Sequence, residues 1–433
     1  MNEPALELGL DEEDAQLVRR IPPEAYRANG IPEPAQAVAR IRAAELVSAA
    51  LPELAEQGEL RSSPLGPAWS RDLDVHVPAL PDPEVLGRLG WLPLDPLLRR
   101  IGSGGEGRWA LVEGDRVLAA VDFTCTEPLD PVDAIIDRCR RNARIRLREV
   151  LELRALVRKG AQLPDDPVVD SAARAEAELG GTLLGGHPQR SGSALPVALG
   201  PRVRRSAAAL VRARMRRRVV VAVSGVDGSG KSTLSRLLLD SLTRCGIPAE
   251  IVWTRPGMRI GLLRNVAVVG KRVLGQGSEP GVREVARGRG GDQLASRRGL
   301  VGWTWAALVT AAFVADVLKR HIRGSGVLLY DRHRLDALAT LRFAYEGVDT
   351  RVHEALIRRL LPAATVTLYL DVDAGTAVSR KPGDVIGKSA VEKQLASYNR
   401  TLRESASLHV LDGSKSAESL AFEAFRALLL SVE

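Results

Sequence analysis

The chain has 433 residues and an ordinary apolar fraction of 45%, enough for two to three packed domains and too much for a disordered polymer. Its formal charge of +8 is carried mostly by arginine, while aromatic residues make up only 4%, so no base-stacking platform accompanies the basic residues and a nucleic-acid partner is disfavoured. Three scattered cysteines without metal-ligand spacing, and an acidic opening (MNEPALELGLDEED) without a basic-then-apolar leader, predict a reduced cytoplasmic protein.

The first sixty or so residues read as mostly helical. Pro22, Pro23, Pro32 and Pro34 break an early helix, and Ala35 to Ala50 carries a longer one that Pro52 ends or kinks. In LGPAWSRDLDVHVP, residues 65–78, Asp72 and Asp74 alternate with Leu73, Val75 and Val77. That spacing predicts a strand with one buried face and both carboxylates on the other. RVLAAVDFTC places Asp122 on a further strand, the return arm of a hairpin that WALVEG opens around Gly114 and Asp115. Two acids on one strand and a third on a neighbour suit a divalent metal pair. Residues 131–180 read as two helices, Pro131 to Lys159 and Pro167 to Leu179. The next stretch, 180–200, loses periodicity and collects Gly, Pro and Ser, which marks a domain boundary. Arg202, Arg204, Arg205, Arg212, Arg214, Arg216, Arg217 and Arg218 then crowd a short helical segment, read as a solvated basic helix.

Val219 to Leu234, VVVAVSGVDGSGKSTL, is an apolar strand, a glycine loop and a helix start. Gly225, Asp227, Gly228, Ser229, Gly230, Lys231, Ser232 and Thr233 carry the GxxxxGK[ST] phosphate loop in its proper context. Glycines let backbone N–H groups close around phosphate oxygens, and the helix N-terminus adds its positive end. Lys231 reaches the outer phosphates and the Ser232 hydroxyl ligates Mg²⁺, so ATP and Mg²⁺ are the expected cofactors. From there strands are expected at 219–224, 249–253, 326–330, 365–370 and 407–411, with helices at 231–245, 300–322, 334–344, 350–361, 373–380, 389–404 and 415–431. This alternation predicts a parallel α/β sheet. The polar, Gly-rich 275–299 stretch reads as a mobile loop. Gly299 to Ala315 is uncharged over 17 residues, short of the roughly 20 that span a bilayer, and reads as a buried helix rather than a membrane contact. Ligands gather at the carboxyl ends of such strands. Asp331 there can complete the Mg²⁺ shell, Arg332 and Arg255 can grip an acceptor phosphate, and Arg380, Lys381 and Lys388 belong to a Pro-Gly lid.

Two resemblances follow from these residues. SRDLDVHV with the later Asp122 strand resembles the polymerase-beta-like nucleotidyltransferase superfamily. That implies an α+β N-terminal domain (1–130) in which Asp72, Asp74 and Asp122 hold metal ions. A Gly66-Pro67 and Ser70 stand where that family has a Gly-Ser pair for triphosphate. GVDGSGKST, TRPG and DRH are similar to the signatures of the thymidylate kinase family. That implies a P-loop kinase domain at 218–433, joined through a helical segment and Arg-rich linker at 131–217. It also implies that Asp227 contacts the acceptor sugar, Arg255 and Arg332 hold the acceptor phosphate, Arg380 serves donor phosphates, Asp371 and Asp373 shape a turn and cap, and the enzyme is a homodimer. The family's glutamate and second glycine in the TREPG segment, its serine after DRH and its later thymine-reading Tyr-Gln pair are missing; Leu335, Asp336 and then LATLRFAYEG follow DRH instead.

The expected activity is therefore γ-phosphoryl transfer from ATP to a nucleoside monophosphate such as dTMP, or to a related phosphorylated acceptor. Lys231, Asp227, Arg332 and Arg380 carry it. Two alternatives stay open: nucleotidyl transfer through the N-terminal acids, and a nucleotide-dependent binding switch acting through the Arg202–Arg218 helix and the 299–315 segment.

Overall fold

The computed structural model of the protein describes residues 8, 10–55, 58–70, 72–103, 107–125, 130–142, 144–184, 218–254, 300–324, 326–345, 348–380, 388–403 and 407–432. Arg255, the basic run 202–217, the 275–299 loop and lid residues 381–387 lie outside them. The chain forms two compact units, with most of 1–210 in the first and most of 211–433 in the second.

The first unit opens with helices α1 (Glu12–Arg19) and α2 (Pro34–Leu54). Asp11 caps α1 by accepting the Asp14 N–H at 2.8 Å. Pro52 sits inside the last turn of α2, where it forfeits a single backbone bond, so the helix runs on to Leu54. The strands and short helices that follow in the chain are β1 (Glu59–Arg61), β2 (Leu73–His76), α3 (Pro83–Arg88), β3 (Leu92–Pro93), α4 (Asp95–Arg100, grouped from Pro96 on with the second unit), β4 (Arg108–Glu113) and β5 (Arg116–Thr124). The sheet order is β1-β2-β5-β4-β3. Only the β2–β5 pairing is parallel, so the sheet is mixed. Leu73, Val75, Val121 and Phe123 bury its inner face in one core with Ala43 and Val47 of α2.

Three helices complete the unit: α5 (Pro131–Asn142), α6 (Leu147–Arg158) and α7 (Pro167–Glu178). The long helix expected from Pro131 to Lys159 is broken, because Glu149 turns back to accept the Arg146 N–H at 2.9 Å and starts a new helix. Ile135, Leu151 and Val169 share a second core with Leu17, Val18 and Trp69. The helices read as a connecting segment thus belong to the body of the first unit. Their arginines hid this, since Arg154 is fully buried and pairs with Asp14 and Glu176, a satisfied ionic core that a polar pattern conceals.

The second unit alternates as expected: β6 (Arg218–Ser224), α8 (Lys231–Arg244), β7 (Ala249–Trp253), α9 (Leu300–Arg323), β8 (Gly326–Asp331), α10 (Arg334–Ala344), α11 (Arg351–Leu360), β9 (Val366–Asp371), α12 (Ala374–Ser379), α13 (Lys388–Leu402), β10 (Leu408–Asp412) and α14 (Ala417–Leu430). All pairings in its sheet, β10-β9-β6-β8-β7, are parallel. The uncharged 299–315 run forms most of α9, whose Ala306, Phe313, Val314 and Val317 are core residues beside Val220, Leu328 and Tyr330. Among the described residues no helix is long and apolar enough to cross a membrane. The strand order reverses around β6, and registers bring Val223, Trp253 and Asp331 level at the carboxyl edge, with Ser224 one residue further on.

Candidate active site

The site begins where β6 ends. Its last five apolar residues are buried, and the chain then turns through Gly225, Gly228 and Gly230, all at positive φ (149°, 87° and 97°). A Cβ at Gly228 would lie 2.1 Å from the Ala377 carbonyl oxygen, so only glycine fits there. Gly230 faces open space. Helix α8 starts at Lys231, which leaves its first N–H groups directed at the loop.

Lys231 is 6% exposed. Its ammonium donates to the Gly225 carbonyl at 2.8 Å and the Val226 carbonyl at 2.7 Å. Burial, helped by the neighbouring Arg332, pulls it down to about 8. Asp227 lies 4.0 Å away and is itself paired with Arg332. Ser229 carries a buried hydroxyl without a hydrogen-bond partner among the described residues. A buried cation on neutral carbonyls beside an unsatisfied hydroxyl is a cradle that fits an anion.

Asp331 lies at the carboxyl end of β8 and is 4% exposed. It accepts the Ser232 hydroxyl at 2.8 Å and the Trp253 indole N–H at 3.0 Å, both on one oxygen. A hydroxyl and a carboxylate in contact beside the loop are oxygen ligands of the kind a hard divalent cation takes. Arg332 follows at φ 78°, a left-handed conformation rare outside glycine and costing about 1–3 kcal/mol. Its backbone is held by its own N–H to Val223 O at 3.2 Å and by the Thr254 hydroxyl donating to its carbonyl. That clamp keeps the guanidinium at the cleft.

The cleft encloses about 350 Å³ and is lined by the loop residues Asp227, Gly228 and Gly230 to Thr233, by Trp253 and Thr254, and by Asp331, Arg332 and Arg380. Arg380 is exposed and donates to the Gly413 carbonyl at 3.0 Å, in the VLDGSKS segment. Asp373 caps α12 through the Thr376 N–H at 2.9 Å, a structural role. His333 lies fully buried against Tyr330, with ring centroids 4.7 Å apart, and burial lowers its imidazole to about 3. It stays neutral at physiological pH.

The structure therefore gathers Gly225, Asp227, Gly228, Ser229, Gly230, Lys231, Ser232, Thr233, Asp331, Arg332 and Arg380 in or beside one loop and cleft, while Arg255 falls outside the described residues. Trp253 and Thr254 were not singled out from the sequence, although the strand end that carries Arg255 pointed to them. Trp253 is 54% exposed.

In the first unit, Asp74 and Asp122 face each other across the parallel β2–β5 pairing, with Asp72 just before β2. Arg108, opposite Asp122 on β4, pairs with Asp72 and lies 3.0 Å from Asp122. Asp95 fixes the approach of that strand by accepting the Gly107 and Arg108 N–H groups at 2.9 and 3.1 Å. Burial pushes Asp122 up to about 7, with Asp72 and Asp74 adding to it against Arg108. Asp74 rises to about 6 through desolvation and then Asp72. Among the described residues no set of three acid, His or Cys side chains is arranged to hold a metal. The three acids meet as the sequence predicts, but around a guanidinium. That cation lies 14 positions before Asp122 in the chain, and only the hairpin register brings it opposite.

No protein-family model matches the chain. Its sequence is similar to curated thymidylate kinases. It is 28% identical over 167 residues to that of Roseiflexus sp. (strain RS-1), covering 37% of this chain and 62% of the relative. It is 26% identical over 235 residues to that of Vibrio vulnificus (strain YJ016), covering 51% of this chain and 98% of the relative. The chain thus spans under two thirds of the Roseiflexus protein's length. Among solved structures it matches deoxyadenosine kinase from M. mycoides with products dCMP and a flexible dCDP bound, at a TM-score of 0.31 and 16% identity, covering 47% of this chain and 95% of that one. The sequence similarities place a P-loop kinase region in this chain.

Proposed function

We propose that the second unit transfers the γ-phosphoryl group of ATP to a phosphorylated acceptor of nucleoside monophosphate type, dTMP or a relative of it. The observation that carries this reading is the buried Lys231 ammonium, held on two loop carbonyls at 2.7–2.8 Å within the cleft that Arg332 and Arg380 line. Those carbonyls are neutral, so a phosphate oxygen competes for the ammonium on favourable terms.

Ser232 and Asp331 would hold Mg²⁺, which when bound neutralises charge on the β- and γ-phosphate oxygens. The loop amides and Lys231 bind and orient the donor. Arg332, released from Asp227, grips the acceptor phosphate, and on the family resemblance Arg255 joins it. Asp227, freed in the same exchange, accepts a hydrogen bond from an acceptor hydroxyl. An acceptor phosphate is already anionic at neutral pH, so transfer asks for no general base; only a hydroxyl nucleophile would need one, and Asp227 stands there. Arg380 supplies positive charge from the lid side. Trp253 offers an exposed indole, and its N–H bond to Asp331 fixes the ring, which favours a base-bearing acceptor over a bare sugar phosphate. A homodimer belongs to the same reading, and light scattering of the purified chain checks it.

The deciding assay is acceptor-dependent ADP release from ATP and Mg²⁺ for wild type and Lys231→Ala. The panel holds dTMP, the other nucleoside monophosphates and simple phosphosugars. Turnover on a nucleoside monophosphate that disappears in the variant supports the reading. ATP binding with silence across the panel defeats it.

A further inference from the structure

Asp336 is a fully buried carboxylate near the start of α10 that takes no part in lining the cleft. One of its oxygens accepts the Ser224 hydroxyl at 2.6 Å and the His333 backbone N–H at 3.1 Å. The other accepts the Tyr398 hydroxyl at 2.7 Å. Ser224 immediately precedes Gly225 of the phosphate loop. His333 immediately follows Arg332, whose left-handed backbone is otherwise clamped by Thr254 and Val223. Tyr398 is fixed from the far side, on α13, its ring tilted against that of Tyr369 with centroids 5.6 Å apart. A buried carboxylate is costly unless its lone pairs are filled, and here three donors from three different elements fill them.

We propose that Asp336 is a positioning residue that sets the phosphate loop and the Arg332 turn together and ties both to α13. The phosphate loop is a string of residues with few side-chain contacts of their own, and its glycines leave it free to open. Ser224 is the last residue before it with a side chain held from below. The Arg332 turn stores strain, and a strained turn persists only when bonds on both sides over-determine it. The Arg332 N–H to Val223 carbonyl bond holds the side before its Cα, and Thr254 and Asp336 hold the peptide after it, one from the carbonyl and the other from the His333 N–H. A single carboxylate on both Ser224 and the His333 N–H therefore couples the group that binds the donor to the group that binds the acceptor. A serine at this position would be shorter and uncharged and could not satisfy all three donors at once. The inference rests on the nucleotide-binding part of the proposed function and not on the identity of the acceptor.

The test is a double-mutant cycle on the full chain, read by titration with a fluorescent N-methylanthraniloyl ATP and, in parallel, by thermal unfolding. Tyr398→Phe deletes one hydroxyl far along the sequence from the loop and should still fold. It is expected to weaken the analogue about tenfold, as is Ser224→Ala. Combining Tyr398→Phe with Asp336→Ala should cost no more affinity than Asp336→Ala alone, because the hydroxyl then has nothing to hold. If the unfolding midpoint falls in Tyr398→Phe and Ser224→Ala while the analogue binds as to wild type, Asp336 is only a packing group and the proposal is overturned. Additive losses in the cycle overturn it too. A wild type that binds the analogue but phosphorylates no acceptor defeats the kinase reading and leaves this cycle interpretable. A wild type that does not bind the analogue removes both.

Discussion

Both units set acids and arginines at the edge of a sheet, but they leave their charges in opposite conditions. In the first unit Asp72 and Asp122 already hold a counterion, Arg108, built into the neighbouring strand. In the second unit Lys231 rests on backbone carbonyls, Asp331 is held by neutral donors, and Arg332 has one carboxylate, Asp227, within the same cleft. A guanidinium that hydrogen-bonds one carboxylate and lies 3.0 Å from another has its charge opposed in place, whereas an ammonium on carbonyls gains by exchanging them for phosphate. Composition of a cluster says little; whether its charges are already answered says more.

Variants can break or sharpen this contrast. The largest effect belongs to Lys231→Ala, expected to cut acceptor-dependent turnover by about 10³-fold with little change in the unfolding midpoint, as loss of one preorganised charge on a transferring phosphoryl group does. Steady-state ADP release beside a thermal melt checks it. Arg332→Ala is expected next, lowering kcat/KM for the acceptor about 100-fold while the ATP affinity moves little. Equal losses for donor and acceptor would erase the assigned division of labour. Trp253→Ala should raise the KM of a base-bearing acceptor about tenfold, and Trp253→Phe should restore most of it, since stacking survives in the smaller ring. A KM unmoved in Trp253→Ala would mean that the indole serves only Asp331.

The first unit supplies the quiet end of the series. Asp74→Asn and Asp72→Asn are expected to leave γ-phosphoryl transfer within about twofold of wild type, which the same assay reads, because neither residue lines the cleft assigned to that transfer. Asp122 gives a pH test. Its folded value, about 7, lies above the ordinary 3.8. A raised carboxylate favours the protonated folded form, so its contribution is fully present below about pH 4 and is lost as pH rises through 7. The unfolding midpoint of the first unit's transition should accordingly lose part of its decline between pH 4 and 7 in Asp122→Asn. An unchanged profile would show that Arg108 outweighs the cost of burial.

Much of the second unit was legible in advance. Its strands begin and end within a residue or so of the positions that apolar runs indicated, because the central runs of β6, β8 and β9 fill buried strands of a parallel sheet and stop where a glycine loop or polar cap begins. The phosphate loop was equally plain, since its chemistry depends on consecutive residues. The first unit was harder. β1 and β3 span three and two residues and carry no periodicity to detect. The arginine-rich stretch from Pro131 to Lys159 read as one helix, yet it folds as two helices sharing a core with α1, with Glu149 and Glu152 each 1% exposed.

Sequence alone determined what depends on neighbours in the chain: the strand-loop-helix that cradles phosphate and the alternation that makes the sheet parallel. Tertiary structure decided what depends on residues far apart. It put Arg108 between Asp72 and Asp122, Trp253 against Asp331, and Asp336 beneath Ser224, His333 and Tyr398. The reason is physical. Helix and strand periodicity is written in local spacing, whereas a hydrogen bond across 62 or 112 positions exists only once strand register and helix packing bring its two ends together.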